Sequence, residues 1–276
     1  MKLLFSESKS DYSLYLYPYV VWGYPEGSET PADFFEQGFL PSLPALSRFY
    51  LCRQLRLPLG QWKPDSENRR VLRKGSEVAS ELVERGKYEF TAARRASWLA
   101  FAEMQFGAGS MPQSRLDRLM SNPVVSHLLR FFDSNTGEEL GTVLLYLEGH
   151  RVAYYYFSFY DLTKKSLNLG ILMMTKAAEF FAAEGFKYLY LGTCYSEKAL
   201  YKTQFLGVEF FNGHRWSNNL NELKYLIRSV PASHRLDEPD YLAYLEGGLE
   251  AAVATGTFRV VERTEPSHPE SIIRER

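Results

Sequence analysis

Residues 154 to 202 carry the side chains best suited to chemistry. An aromatic run from Tyr154 to Tyr160 ends at Asp161, and Lys164, Lys165, Ser166 and Leu167 follow before Gly170 and a long apolar stretch. Tyr190, Gly192, Tyr201 and Lys202 come next. The pattern reads as strand, loop, helix, strand, helix, with small and polar residues at the junctions. A loop that feeds a helix N-terminus leaves backbone N–H groups free, which favours an anionic or strongly polar ligand.

A second concentration of polar groups lies upstream, where Arg69, Arg70, Arg73 and Lys74 fall on one side of a helical turn if residues 66 to 74 are helical. Residues 40 to 100 contain 12 Lys or Arg against 6 Asp or Glu, whereas residues 1 to 39 contain 2 against 6. The chain as a whole carries a formal charge of −1, so a local basic surface suits a phosphate-bearing partner held transiently, or an ordinary solvated face. The 5 histidines and 2 cysteines show no short ligand spacing, so no metal is expected. There is no Gly-x-Ser-x-Gly elbow, no Walker loop and no Gly-x-Gly-x-x-Gly, which removes most of the support for nucleotide hydrolysis and hydride transfer.

These residues need a scaffold, and 276 residues with 45% apolar content can build one. Tyr and Phe, 19 each, concentrate in strand-like runs and imply an aromatic-rich sheet. Residues 12 to 19 read as strand, 33 to 37 as a helical turn and 55 to 59 as a strand. Ser66 or Asn68 is placed to cap the basic turn. Helices are expected over 76 to 85, 91 to 105 and 113 to 120. Residues 127 to 133, 140 to 147 and 152 to 160 read as antiparallel strands joined by tight turns. A mostly buried helix over 168 to 184 stops at Gly185, and 186 to 191 is an apolar strand. A short helix over 197 to 205 and a strand over 208 to 211 complete the series. Beyond Pro231, one helix over 240 to 254 precedes a polar end expected to be disordered. No run of about 18 apolar residues and no secretory signal is present, and two distant cysteines suit a reducing cytoplasm.

Taken together, Tyr156 to Asp161, Ser166-Leu167, Gly170, Tyr188 to Gly192, Tyr201-Lys202 with Phe205, Gly213 and Trp216 resemble the C-terminal domain of the aminoacyl-tRNA-protein transferases. That family includes arginyl-tRNA-protein transferase and the bacterial leucyl-transferring enzymes. Upstream, Trp62 to Arg70 with Arg73-Lys74 is similar to the family's Phe-x-Pro-Ser-x-Ser-Gln-Arg-Arg segment, with Asn68 in place of Gln. The family's N-terminal cysteine cluster is represented by Cys52 at most.

The resemblance implies an α/β (α+β) fold of the GNAT-like acyltransferase type: a central, mostly antiparallel sheet flanked by helices, with a smaller N-terminal region. It implies residues 1 to 110 as that region, 111 to 230 as the transferase domain and 231 to 276 as a C-terminal helix and flexible acidic tail. It also implies aminoacyl-tRNA as co-substrate with no other cofactor, a protein or peptide N-terminus as acceptor, and neither DNA nor membrane as partner. The α-amine of the acceptor would attack the aminoacyl ester, a step that depends on a neutral amine and on alignment.

On this resemblance Arg69, Arg70, Arg73 and Lys74, with Lys164 and Lys165, contact phosphates or an acidic acceptor residue. Tyr160, Tyr190 and Tyr201 line the cleft or serve as core aromatics, and Ser166, Leu167, Lys202 and Trp216 belong to the same substrate region. Asp161 orients or deprotonates the amine, or caps a turn. Gly170 and Gly192 allow close backbone approach. An acyl-CoA-dependent N-acyltransferase remains open, although residues 164 to 170 supply only the last glycine of the Gln/Arg-x-x-Gly-x-Gly/Ala loop it needs. So does a relative acting on a small amine or a biosynthetic peptide, or one that only binds.

Overall fold

The computed structural model describes residues 1–7, 11, 13, 18–228 and 239–255. In chain order the elements begin with β1 (Lys2–Glu7), β2 (Tyr19–Tyr24), α1 (Pro31–Glu36), β3 (Phe39–Pro41), β4 (Phe49–Leu51), β5 (Gln54–Pro58), α2 (Ser66–Lys74) and β6 (Val78–Glu84). They continue through α3 (Ala92–Phe106), α4 (Gln113–Met120), β7 (His127–Asp133), β8 (Glu139–Glu148), β9 (Val152–Tyr160), α5 (Leu169–Ala183) and β10 (Tyr188–Thr193). A 3₁₀ segment (Glu197–Thr203), β11 (Glu209–Phe211), β12 (Trp216–Ser217), α6 (Leu220–Arg228), α7 (Pro239–Leu242) and α8 (Gly248–Thr255) follow.

Eight strands form the main sheet in the order β12-β11-β5-β10-β9-β8-β7-β6, and a smaller sheet runs β1-β2-β4-β3. Every pair in the main sheet is antiparallel except β9 with β10. A parallel pair cannot be joined by a tight turn, and α5 is the crossover that connects them. The sheet takes strands from both sides of residue 110: β5 and β6 lie in the same ladder as β7 to β12.

Each face of the sheet buries a different set of residues, as the two-residue period of a strand requires. Ala153, Tyr155, Leu189 and Leu191 pack with α2, α5 and α6 residues such as Val71, Leu172, Phe181 and Leu223. On the other face, Leu144 and Phe159 pack under Trp98 and Phe101 of α3, while Tyr154 and Tyr190 pack on Phe35 of α1 and Cys52. Both cysteines are buried free thiols. Among the described residues no helix is long and apolar enough to cross a membrane.

Three local expectations need correction. Residues 76 to 85 are not helical, because Val78 to Glu84 pair along their whole length with β7, from Val78↔Asp133 to Glu84↔His127. The charges at Glu77, Glu81 and Glu84 imitate a helical surface, but one long ladder outweighs that weak propensity. The cap of α2 is Asp65 rather than Ser66 or Asn68, and its side chain accepts from Asn68 N at 2.8 Å. The helix expected over 240 to 254 is two helices, α7 and α8, separated by residues 243–247, where Gly247 takes a positive φ just before α8. Most of the strand expected over 12 to 19, and the polar end, lie outside the described residues.

Candidate functional site

The parallel ladder between β9 and β10 runs only from Val152↔Tyr188 to Tyr154↔Tyr190, although β9 continues to Tyr160 and β10 to Thr193. Two irregularities drive the strands apart. Tyr156 is the extra residue of a bulge against β8, where Leu145 faces Tyr155 and Leu144 faces Phe157. On β10 the register with β5 slips between Tyr190 and Gly192, and Gly192 adopts φ +75°. Where the strands part, a cleft of about 580 Å³ opens on the α1 and α4 side of the sheet.

Tyr154, Tyr156 and Phe157 of β9, Gly192 and Thr193 of β10, and Lys202 line this cleft. Trp22, Leu40, Ser42 and Tyr50 close it from the small sheet, and Arg115 reaches it from α4. Arg48 stiffens that far wall: its guanidinium lies 4.4 Å from the Trp22 ring centroid and its Nε donates to Ser42 Oγ at 2.8 Å.

No Asp or Glu lines the cleft among the described residues, while two cations do. Lys202 Nζ donates to the Thr193 carbonyl at 3.2 Å, and Arg115 Nη1 donates to the Ser110 carbonyl at 2.9 Å. Neither has a carboxylate partner among the described residues. Burial lowers the Lys202 pKa, with a small opposing effect from the Cys194 thiol. Burial likewise raises the Tyr156 hydroxyl, partly offset by Arg115. The cleft therefore presents neutral hydroxyls and two incompletely compensated cations, which is the complement of an anion.

The structure brings some of the expected residues to this cleft and separates others. Gly192 and Lys202 line it, but Tyr190 is fully buried among Phe35, Tyr154 and Trp216 and is a core aromatic. Trp216 lies outside the cleft lining, where its indole N–H donates to Glu36 O at 2.7 Å and its ring covers the Arg56 guanidinium at 3.8 Å. Arg69, Arg70, Arg73 and Lys74 are exposed on α2, which packs on α5 across the sheet from the cleft. Arg70 pairs with Glu67, and Arg69 Nη1 donates to Pro64 O at 2.7 Å.

Tyr160 and Asp161 line a second hollow, of about 490 Å³, between α3 and the end of β9. Asp161 Oδ1 accepts from Thr163 N at 2.8 Å and from Thr163 Oγ1 at 2.6 Å. The Thr163 hydroxyl is the main cause of a carboxyl pKa below the usual range, despite some desolvation, so Asp161 stays ionised and makes a weak base. Lys164 pairs with Glu138 at 2.9 Å, and Lys165, Ser166 and Leu167 form the 3₁₀ turn before α5. Gly170 admits the Tyr160 hydroxyl, which would stand 3.0 Å from an added Cβ. Tyr201 is exposed on the segment that also carries Lys202.

Arg115, Tyr50, Trp22 and Ser42 escaped the sequence reading, since each enters from an element distant in the chain. Tyr154 and Tyr156 stood in the aromatic run, but only the bulge shows which of those rings turns toward the opening.

Residues 66–203 match the acetyltransferase (GNAT) domain model, half of the chain. The chain belongs to the GNAT acetyltransferase-domain family. The matched span of this GNAT domain runs from α2 to the segment that carries Lys202, and so includes both walls of the parted β9 and β10. Over 171 residues the chain is 24% identical to an aspartate/glutamate leucyltransferase of Chromobacterium violaceum, covering 60% of this chain and 68% of that protein. These matches bear out the resemblance to the aminoacyl-tRNA-protein transferases and the GNAT-like fold. Among solved structures, the C-terminal domain of a putative lysylphosphatidylglycerol synthetase from Agrobacterium fabrum aligns at TM-score 0.42 and 12% identity over 55% of this chain and 49% of that one. FemX aligns at TM-score 0.40 and 9% identity over 51% and 53%. The chain thus spans about half of each structure, and scores this low carry no functional weight.

Proposed function

We propose that this GNAT-domain protein is an aminoacyltransferase that takes an amino acid from charged tRNA and joins it to the α-amine of a protein or peptide acceptor, with acidic N-terminal residues preferred. The observation that carries the reading is the cleft between β9 and β10, cationic through Arg115 and Lys202 and lined by no described carboxylate. The opening between β9 and β10, with two cations and no described carboxylate, suits an anion. The name of the 24% identical relative, an aspartate/glutamate leucyltransferase, agrees with an acidic acceptor.

In the reaction, the neutral amine nitrogen attacks the ester carbonyl carbon, the new C–N bond forms, the C–O bond to the ribose breaks, and the amine proton passes to the departing ribose oxygen. An aminoacyl ester is already activated, so alignment supplies most of the acceleration. The exposed Arg69, Arg70, Arg73 and Lys74 of α2 offer phosphate contacts for the tRNA body, outside the cleft. A reducing, cytoplasmic setting suits Cys52 and Cys194.

An acyl-CoA donor is the competing reading, favoured by the family model's own description. The turn before α5 argues against it: residues 164 to 169 contain no glycine, and Asn168 takes the left-handed conformation there. Incubating the protein with labelled aminoacyl-tRNAs or labelled acetyl-CoA, and peptides beginning with Asp, Glu, Arg, Lys or oxidised Cys, decides between them. Label from charged tRNA on Asp and Glu peptides is expected. Label from acetyl-CoA alone sinks the reading.

A further inference from the structure

A pocket of about 570 Å³ lies at the start of β10, at the opposite end of that strand from Gly192 and Thr193, where the cleft opens. The turn between β5 and α2 supplies one side of it through Gln61, Trp62 and Lys63. Lys187 and Tyr188 form the second side, and Leu206 the third. The turn is fixed by its own backbone, since Leu59 N donates to Lys187 O at 2.9 Å and Trp62 N to Leu59 O at 3.1 Å. The Trp62 indole stands edge-on to Phe205 at 6.2 Å, and Leu206 is 75% exposed although apolar.

No Asp or Glu lines this pocket among the described residues, whereas two lysines do. Lys63 is exposed and makes no hydrogen bond or ion pair among the described residues. Lys187 belongs to a balanced group: its Nζ stands 3.4 Å from Glu36, and Arg151 spans Glu36 at 3.1 Å and Asp33 at 2.8 Å. Its side chain is still 57% exposed, so the ammonium is within reach of a ligand. Arg56, which lies 4.1 Å from the Tyr188 ring centroid, is neutralised by Glu209 at 2.6 Å. The pocket therefore carries one unpaired cation beside aromatic and aliphatic surface, which is the complement of a flat ring joined to an anion. A small anion alone would leave the Trp62 and Leu206 surface unused, and an uncharged ring would leave Lys63 unused.

We infer that this pocket is a nucleotide site, with the base against Trp62 and Leu206 and the phosphate on Lys63, assisted by Lys187. The nucleotide is either free or an unpaired residue of a single-stranded RNA, and the recognising chemistry is the same for both. Every base has a flat face to lay on an aromatic side chain, so stacking alone tolerates any sequence. Selectivity then falls to Gln61, an exposed side chain whose amide both donates and accepts as a base edge does, and it should be modest. The pocket shares no lining residue with the cleft, so the inference stands whether the protein uses charged tRNA or another donor.

NMR titration of the full chain at low salt with AMP, CMP, adenosine and inorganic phosphate tests this. AMP and CMP should bind within about tenfold of each other, and each at least about tenfold more tightly than adenosine or phosphate. Two variants at exposed positions separate the two halves of the ligand. Lys63→Ala should weaken AMP by about tenfold and leave adenosine unchanged, whereas Leu206→Ala should weaken both by at least about threefold. A single-stranded adenosine hexanucleotide distinguishes the sources: displacement of AMP at a lower concentration than AMP itself requires assigns the site to RNA, and failure to displace it assigns the site to a free nucleotide. Phosphate binding as tight as that of AMP overturns the inference, since the pocket is then only an anion surface. AMP binding that either substitution leaves unchanged overturns it too. None of these outcomes bears on the donor, which the labelled-donor assay decides separately.

Discussion

Lys202 Nζ donates to the Thr193 carbonyl at 3.2 Å, just past the register slip at Gly192. The bond ties the 3₁₀ segment to the end of β10 and holds the ammonium at the cleft, where Arg115 is the other lining cation. Lys202→Met should raise KM for peptides beginning with Asp or Glu by about 10- to 100-fold, the cost of losing a hydrogen bond to a charged group. Peptides beginning with Asn or Gln should change little. Equal losses on both peptide sets, read from initial rates, would remove the acidic-acceptor role from Lys202.

The pH dependence of that interaction follows from burial, which lowers the Lys202 pKa. The proton is lost at a lower pH than from an ordinary lysine, so KM for acidic acceptors should climb as pH rises through the lowered pKa. Stability moves the other way. Below the folded pKa both states hold the proton and folding bears the full desolvation penalty. Between the folded and the unfolded pKa the unfolded chain binds more protons, so stability rises with pH. Lys202→Met removes the penalty, and its Tm at neutral pH should equal or exceed that of the native protein. A clear fall in Tm contradicts this account.

The α2 cations lead to a salt-dependent expectation. Arg69→Ala with Arg70→Ala takes two exposed charges from a helix that lines neither the cleft nor the hollow, and one of them already pairs with Glu67. Stability should change little, as for most substitutions of exposed side chains. The dependence of tRNA binding on salt should flatten, by about one unit of log-log slope for each phosphate that these arginines neutralise in the native protein. An unchanged slope would leave these arginines with no part in tRNA binding.

What could be read from the chain was whatever depends on local period and punctuation. The aromatic run of β9, the buried apolar α5 and the glycine after it were visible because residue type and capping are local properties. β6 was not, since its charges look like a helical surface and only pairing with β7 makes it a strand. At the site, Gly192 and Lys202 were legible as members of a familiar pattern. Arg115 was not: the neighbouring Asp117 could have balanced it, but in the fold Asp117 pairs with Arg95 of α3 at 2.8 Å. A cation left uncompensated by tertiary structure leaves no local trace.

Asp65 caps α2 by accepting from Asn68 N at 2.8 Å, and the Asn68 side chain returns to Asp65 N at 3.4 Å. Asp65→Ala should cost about 1 kcal/mol, the usual value of an N-cap. Denaturant midpoints measure it, and transfer at saturating substrate should be unaffected, because α2 supports α5 without lining the cleft. Loss of kcat in a fully folded Asp65→Ala protein would bring α2 into the reaction itself.

Gly192 offers the sharpest test of how the cleft is made. Its φ of +75° lies in the left-handed region, and the one heavy atom within 4 Å of an added Cβ is Lys202 Nζ, at 3.8 Å. Space is therefore sufficient for alanine, and the cost of Gly192→Ala should be the backbone term alone, about 1 to 2 kcal/mol. Part of that strain can be relieved if residue 192 turns back toward ordinary strand geometry, which would close the slip in register with β5 and carry the Thr193 carbonyl away from Lys202. Activity should then fall further than stability, with KM for acidic peptides rising as it does in Lys202→Met. Combining the two substitutions gives the decisive comparison. If Gly192 acts by positioning Lys202, the double variant should be no worse on acidic peptides than Lys202→Met alone, whereas multiplicative losses would mean that Gly192 shapes the cleft independently of that lysine.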